Sequence, residues 1–336
     1  MRRRIWGNIF LLAALTAGVL TIGVLALVVG SADISFAKAV KLLTAGSSGG
    51  ADYAILFKLR LPRVLLGIAV GGSLSVSGVI LQGVFRNPLV EPYTLGISGG
   101  AALAVSMVIV AGVGDTLGLL TIPAAGFGGA VAVVALVYRL SLKNRMLRIR
   151  QLLLTGVMIS FISSSLIMLM MSLSSTQDLP AVVFWLMGSL SEFNRSLIWF
   201  TMGVGVLGLL AAMTLSIRLN ALILGEDQAR GLGVDAEKTK RRLFILASLV
   251  TGCCVAVAGP IGFVGLVVPH FVRMFTGQDH RFLLPASFLS GAIFLVACDM
   301  LARTIIPLQT LPVGVITGIV GGTLFVYTLT RRGMTW

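Results

Sequence analysis

About ten apolar stretches recur along this chain, most of them near the roughly 17 to 25 residues that carry a helix across a bilayer. That periodic recurrence leaves few folds open. Lipid-exposed backbone must satisfy its own hydrogen bonds, so a spanning segment is a helix or part of a closed barrel. The alternating pattern of barrel strands is absent, and the expectation is an all-α polytopic membrane protein. Composition agrees: 57% of the residues are hydrophobic and only 11% are charged, too few to cover a soluble globule. The 40 glycines, in runs such as GGSLSVSG at 71 to 78, suit membrane helices packed closely through small residues.

The spans are placed near 9 to 30, 62 to 83, 93 to 112, 116 to 138, 151 to 172, 196 to 217, 242 to 259, 261 to 275, 283 to 303 and 311 to 330. Gly259 and Pro260 mark either a kink in one helix or a turn between two, so 242 to 275 reads as two short spans or one broken helix. The apolar run behind MRRR at the N-terminus is about 20 residues, longer than the h-region of a signal peptide, and reads as a retained first span. The whole of 1 to 336 is then one transmembrane domain, with a long polar connection at 218 to 242.

Basic residues orient these spans. With both termini in the cytoplasm, Arg2 to Arg4, Arg86, the cluster Arg139, Lys143, Arg145, Arg148 and Arg150, the cluster from Arg218 to Arg242, and Arg273, Arg281, Arg331 and Arg332 all fall inside. Lys38, Lys41, Lys58, Arg60, Arg63, Arg195 and Arg303 fall outside. The net charge of +14 is thereby explained by topology and anionic headgroups, and nucleic acid is not an expected partner. Arg60 and Arg63 can snorkel to the headgroups. With Arg303 they can instead form an outward patch for carboxylates of a protein partner, which the guanidinium fork binds well.

Enzyme signatures are scarce. His270 and His280 are the only histidines and read as helix-end or loop residues; Cys253, Cys254 and Cys298 lie in apolar spans without metal-ligand spacing. Asp299 is the acidic residue well inside a span, and Arg303 four residues on predicts an i,i+4 pair. No lysine follows a glycine, so there is no phosphate-binding loop. ATP and Mg, if used, belong to a partner ATPase, and no cofactor is expected in this chain. In the polar connection, Glu226 and Asp227, then Ala229, Arg230, Gly231 and Gly233, predict a short helix ended by a glycine with a left-handed cap, able to seat in a groove of a soluble partner.

RLPRVLLG at 60 to 67, SGVILQGVFRNPLVEPYTLGISGGAALA at 77 to 104, GEDQARGLGV at 225 to 234, GPIGFVGLVVPHFVR at 259 to 273 and LPVGVITGIVGG at 311 to 322 resemble, in order, the permease family of iron-siderophore, haem and vitamin B12 ABC importers. The resemblance covers nearly the whole chain. It implies the transmembrane subunit of a type II importer: a homodimer of ten-helix subunits in the cytoplasmic membrane of a bacterium or archaeon, with two ATP-binding cassette subunits inside and a periplasmic or lipid-anchored substrate-binding protein outside. It assigns Arg60, Arg63 and Arg303 to docking of the binding protein. Glu226 to Gly233 become the coupling segment, and Asn87 and Leu89 the cytoplasmic gate. A second gate at the start of the fifth span has no clear Ser or Thr counterpart in RIRQLLLTG. The cargo is expected to be a metal chelate or corrinoid moved by alternating access. An ion-coupled secondary carrier is the alternative, and co-purification with an ATPase subunit separates the two.

Overall fold

The computed structural model describes residues 2–30, 50–113, 118–143, 146–175, 177–306 and 310–332. Lys38, Lys41 and Arg145, used above for orientation, lie outside the described residues. The chain is a helical bundle: α1 Arg2–Val28, α2 Ala51–Phe85, α3 Ile97–Val110, α4 Thr121–Ser141, α5 Ile149–Leu173, α6 Leu179–Leu186, α7 Arg195–Thr214, α8 Ser216–Leu224, α9 Glu226–Gly231, α10 Ala236–Ala258, α11 Val264–Thr276, α12 His280–Thr304 and α13 Val313–Arg332. A two-residue hairpin pairs Leu142 with Leu147 and Lys143 with Met146 between α4 and α5. Each of the ten expected spans has its helix, while α6, α8 and α9 are short connecting pieces.

The region from 242 to 275 resolves into two helices. α10 ends at Ala258, Gly259 has φ 69°, and Phe263 precedes α11 in the left-handed region at φ 69°. Proline at 260 and two positive-φ residues leave no continuous i to i+4 ladder there, which explains the break. α10 also begins six residues earlier than the apolar window suggested, because Asp235 caps it by accepting from the Lys238 backbone N–H at 3.0 Å. Propensity and capping, which hydropathy does not measure, set that boundary.

α2 is the central element. It packs against α7, α10, α11 and α12, and nearly all its residues from Pro62 to Phe85 are buried. Its small residues allow this: a Cβ on Gly78 would collide with the Gly265 carbonyl of α11, and one on Gly71 with the Gly291 carbonyl of α12. Without a hydrophobic driving force between helices in lipid, such close backbone approach supplies the packing. By contrast α1, α4, α5 and α7 expose most of their apolar surface. On α5 an open stripe includes Leu154, Phe161, Met168 and Leu173. The Met-rich 166 to 174 segment therefore turns partly outward, with Ile167 buried against Ala102 and Val182.

Side-chain contacts sort the connections onto two ends. Arg86 meets Glu226, Leu147 meets Glu237, and Asn220 meets Asp279 and His280. At the other end, Arg60 and Arg303 meet the last turn of α1.

Candidate functional site

Three features carry the residues singled out by sequence. The first is the arginine cluster. Arg60 donates from Nη1 to the carbonyl oxygens of Leu27 and Val28, each at 2.7 Å. Arg303 donates to Ala26 O at 3.3 Å and pairs through Nε with Asp299 at 2.9 Å. Arg63 lies 3.6 Å from the other oxygen of Asp299. The three guanidinium groups therefore meet in one place, and the Asp299–Arg303 pair forms as its spacing predicted. What spacing did not reveal is burial: Arg60, Arg63 and Arg303 are 5%, 8% and 4% exposed. The C-terminal carbonyls of α1 lack intrahelical partners and carry the negative end of the helix dipole, so the arginines cap them.

The second feature is the coupling segment. α9 ends at Gly231; Gly233 has φ 79°, its N–H bonds to Arg230 O at 2.9 Å, and the Val234 N–H bonds to Ala229 O at 2.9 Å. That is a Schellman cap, with Ala229 fully buried beside Val234. Gly231, by comparison, is helical and has open space where a side chain would go. Asp227 is fully exposed and Arg230 half exposed, 3.9 Å apart. Glu226 points inward to Lys240 at 3.1 Å and to Arg86 at 3.9 Å. Lys240 is buried and also pairs with Glu237, whose other oxygen accepts from the Leu147 N–H at 2.9 Å. The exposed face of α9 is thus anchored to the α4–α5 hairpin and to the end of α2. Asp235, at the start of α10, has its carboxyl held below the ordinary range by hydrogen bonds from the Lys238 backbone and side chain.

The third feature is the segment after α2. Arg86 takes φ 49°, Asn87 N–H bonds to Gln82 O at 3.2 Å, and the chain turns out of the helix. A left-handed arginine is unusual for a residue with a Cβ. Asn87 Oδ1 accepts from the Leu89 N–H at 3.0 Å, forming a local turn that leaves Leu89 45% exposed. Glu91 and Tyr93 then fold back into the bundle, where their side chains accept from Phe263 and Ile261 just ahead of α11. Gln82 donates to Gly265 O at 3.2 Å and accepts from Arg273 at 2.9 Å. Sequence reasoning missed Glu91 as an interior carboxylate because it lies between apolar windows; the only signal was the proline on either side, at 88 and 92, which forbids continuous helix.

His270 is within α11 rather than at a helix end, edge-on to Phe271 and Phe325. His280 opens α12, with Nδ1 2.7 Å from Asn220 Oδ1. The three cysteines are free and buried. Among the described residues there is no group of three or more His, Cys, Asp or Glu able to hold a metal.

The model of the FecCD transport family matches residues 18–331. The chain belongs to the FecCD transport family. It is therefore a transmembrane permease of ABC importers and not an enzyme, with the ATPase on a separate subunit. FecCD members work with ATPase and binding-protein partners. It is 38% identical over 329 residues to the hemin transport system permease protein HmuU of Yersinia pestis, covering 95% of this chain and 96% of that one. It is 40% identical over 278 residues to the cobalamin import system permease protein BtuC of Halobacterium salinarum, covering 83% and 74%. A solved inward-facing ABC transporter assigned to the metal-chelate type superposes with a TM-score of 0.83 at 31% identity, covering 96% of this chain and 99% of that one. A multi-pass protein of the inner membrane follows from this membership and the apolar helices.

Proposed function

We propose that this FecCD permease forms a homodimer that moves a metal chelate or corrinoid from a binding protein into the cytoplasm by alternating access. The observation that carries the reading is the capped α9: its Asp227–Arg230 face is open to a partner, while Glu226 and Ala229 tie it to the bundle. Such a helix can transmit movement of an ATPase, which would hold the ATP and Mg. Coupling needs a contact whose free energy differs between states, and the outward charges of α9 can make one. The positive-inside rule supports a cytoplasmic basic end with both termini inside, and the resemblance to the family assigns the inner gate to Asn87 and Leu89 at that end.

Docking of the binding protein is assigned to the opposite end, at Arg60, Arg63 and Arg303. Because these guanidinium groups already have partners within the chain, a docking carboxylate would share or take over bonds that now go to Asp299 and to α1. That exchange would be salt-sensitive.

Reconstitution in proteoliposomes with the ATPase subunits and candidate binding proteins tests the reading. One loaded binding protein should stimulate ATP hydrolysis and drive uptake of its ligand. Uptake that persists without ATPase subunits, driven by an ion gradient, would refute it.

A further inference from the structure

α3 and α11 have 14 and 13 residues, each short of the roughly 20 that a bilayer requires. Neither continues from an α-helix: α3 follows a 3-10 turn at Pro92–Leu95 and α11 follows irregular backbone at 259 to 263, which is tolerated at membrane depth only where protein satisfies its polar groups. The segments leading into these two helices satisfy each other. Tyr93 Oη accepts the Ile261 N–H at 2.9 Å, and Glu91 Oε1 accepts the Phe263 N–H. Pro92 packs on Gly265, so closely that a Cβ there would lie 2.8 Å from the proline Cδ. Phe263 is held at φ 69° with its ring against Gly321 and Gly322 of α13. The 91 to 96 segment also touches α5, and differently. Gly156 lies flat against Thr94 and Leu95, in a backbone contact without a hydrogen bond between those described residues.

We propose that Glu91 and Tyr93 are positioning residues of the gate: they lash the segment bearing Asn87 and Leu89 to the start of α11, so the gate moves with α11 and slides over α5 at Gly156. The inference rests on the importer reading. Its physical basis is the difference between the two contacts. Hydrogen bonds to these part-buried N–H groups are directional and costly to leave unmade, because an orphaned donor there is poorly served by water. A glycine surface offers only dispersion, which changes little when one smooth backbone shifts along another. Phe263 strengthens the link, since a left-handed phenylalanine persists only where its surroundings hold it. Gln82 adds a second tie from the end of α2 to α11 through Gly265 and Leu266, so the helix that leads into the gate is braced to the same body.

The test uses the assembled complex in proteoliposomes with Glu91→Ala, Glu91→Gln and Tyr93→Phe. Two quantities are read: ATP hydrolysed per ligand imported, and amide exchange of residues 261 to 263. Losing one buried acceptor should raise the ATP-to-ligand ratio about tenfold in Glu91→Ala and speed exchange at Phe263 by a similar factor. Glutamine retains an acceptor oxygen, so Glu91→Gln should stay within about twofold of the parent. Tyr93→Phe should speed exchange at Ile261 and raise the ratio; it also serves if Glu91→Ala fails to assemble. An assembled Glu91→Ala or Tyr93→Phe complex with the parent ratio would overturn the proposal, as would a Glu91→Gln complex as uncoupled as the alanine variant. If the unsubstituted complex imports nothing, the importer reading fails, while unchanged exchange at 261 and 263 in the variants would still refute the brace by itself.

Discussion

Replacing Asp299 by alanine removes the carboxylate that Arg63 and Arg303 share. At separations of 3.6 and 2.9 Å, an effective dielectric of about 20 gives roughly 5 and 6 kcal/mol of attraction before desolvation is counted. Desolvation of three buried ions offsets much of this, and breaking one side of a buried pair typically costs about 3–5 kcal/mol because the remaining charge stays buried without compensation. The expected loss for Asp299→Ala is therefore about 3–5 kcal/mol. The upper part of that range is favoured by two guanidinium groups being left facing each other. Reversible unfolding of the purified chain in mixed micelles measures it, with Arg303→Met and the double variant completing a cycle. Removing both members should cost clearly less than the sum of the single losses, with a coupling of about 1–3 kcal/mol. A loss below about 1 kcal/mol for Asp299→Ala, or strict additivity in the cycle, would refute the clamp. The same cycle bears on docking. If the arginines serve only a binding protein, their internal partners should be dispensable for stability.

Further outcomes can be checked alongside it. Gly78→Val should prevent close packing of α2 on α11 and cut the yield of folded protein severely, since overpacking costs at least about 1–3 kcal/mol and here the obstacle is backbone. Gly233→Ala should destabilise by about 1 kcal/mol through its left-handed φ and lower transport per ATP, whereas Gly231→Ala should be neutral in both assays. Arg60→Gln should weaken binding-protein docking, measured by the concentration that half-stimulates ATPase activity, and should flatten the salt dependence of that concentration. The carboxyl of Asp235 is depressed in the folded chain, so its contribution is present above the unfolded value and lost as pH falls through the lower folded one. Protection of the Lys238 amide, taken relative to the intrinsic exchange rate at each pH, should fall over that acid range, and Asp235→Asn should abolish that change in protection.

The ten apolar helices, seven of them long enough to cross a membrane by themselves, were legible because hydropathy and window length report on transfer to lipid, a property of local sequence. The cap at Gly233 was legible for a similar reason: a helix end depends on a few neighbouring residues, and a glycine suited to φ above zero stood where α9 had to stop. Asp299 and Arg303 share a helix face, so their pairing too could be read without a fold. The role of Arg60 could not. Whether its charge faces headgroups, a docked protein or the end of α1 depends on a helix more than 30 residues earlier in the chain, and the geometry brings it to Leu27 and Val28. Glu91 was opaque for the same physical reason. Its partner is 172 residues away, and a carboxylate between two prolines reads as a solvated turn until tertiary packing carries it inside. Sequence by itself determined the solvent each segment requires, and hence where the apolar helices lie along the chain; tertiary structure decided where 242 to 275 breaks and which orphaned backbone groups the buried charges satisfy, because those groups appear only where helices begin, end and meet.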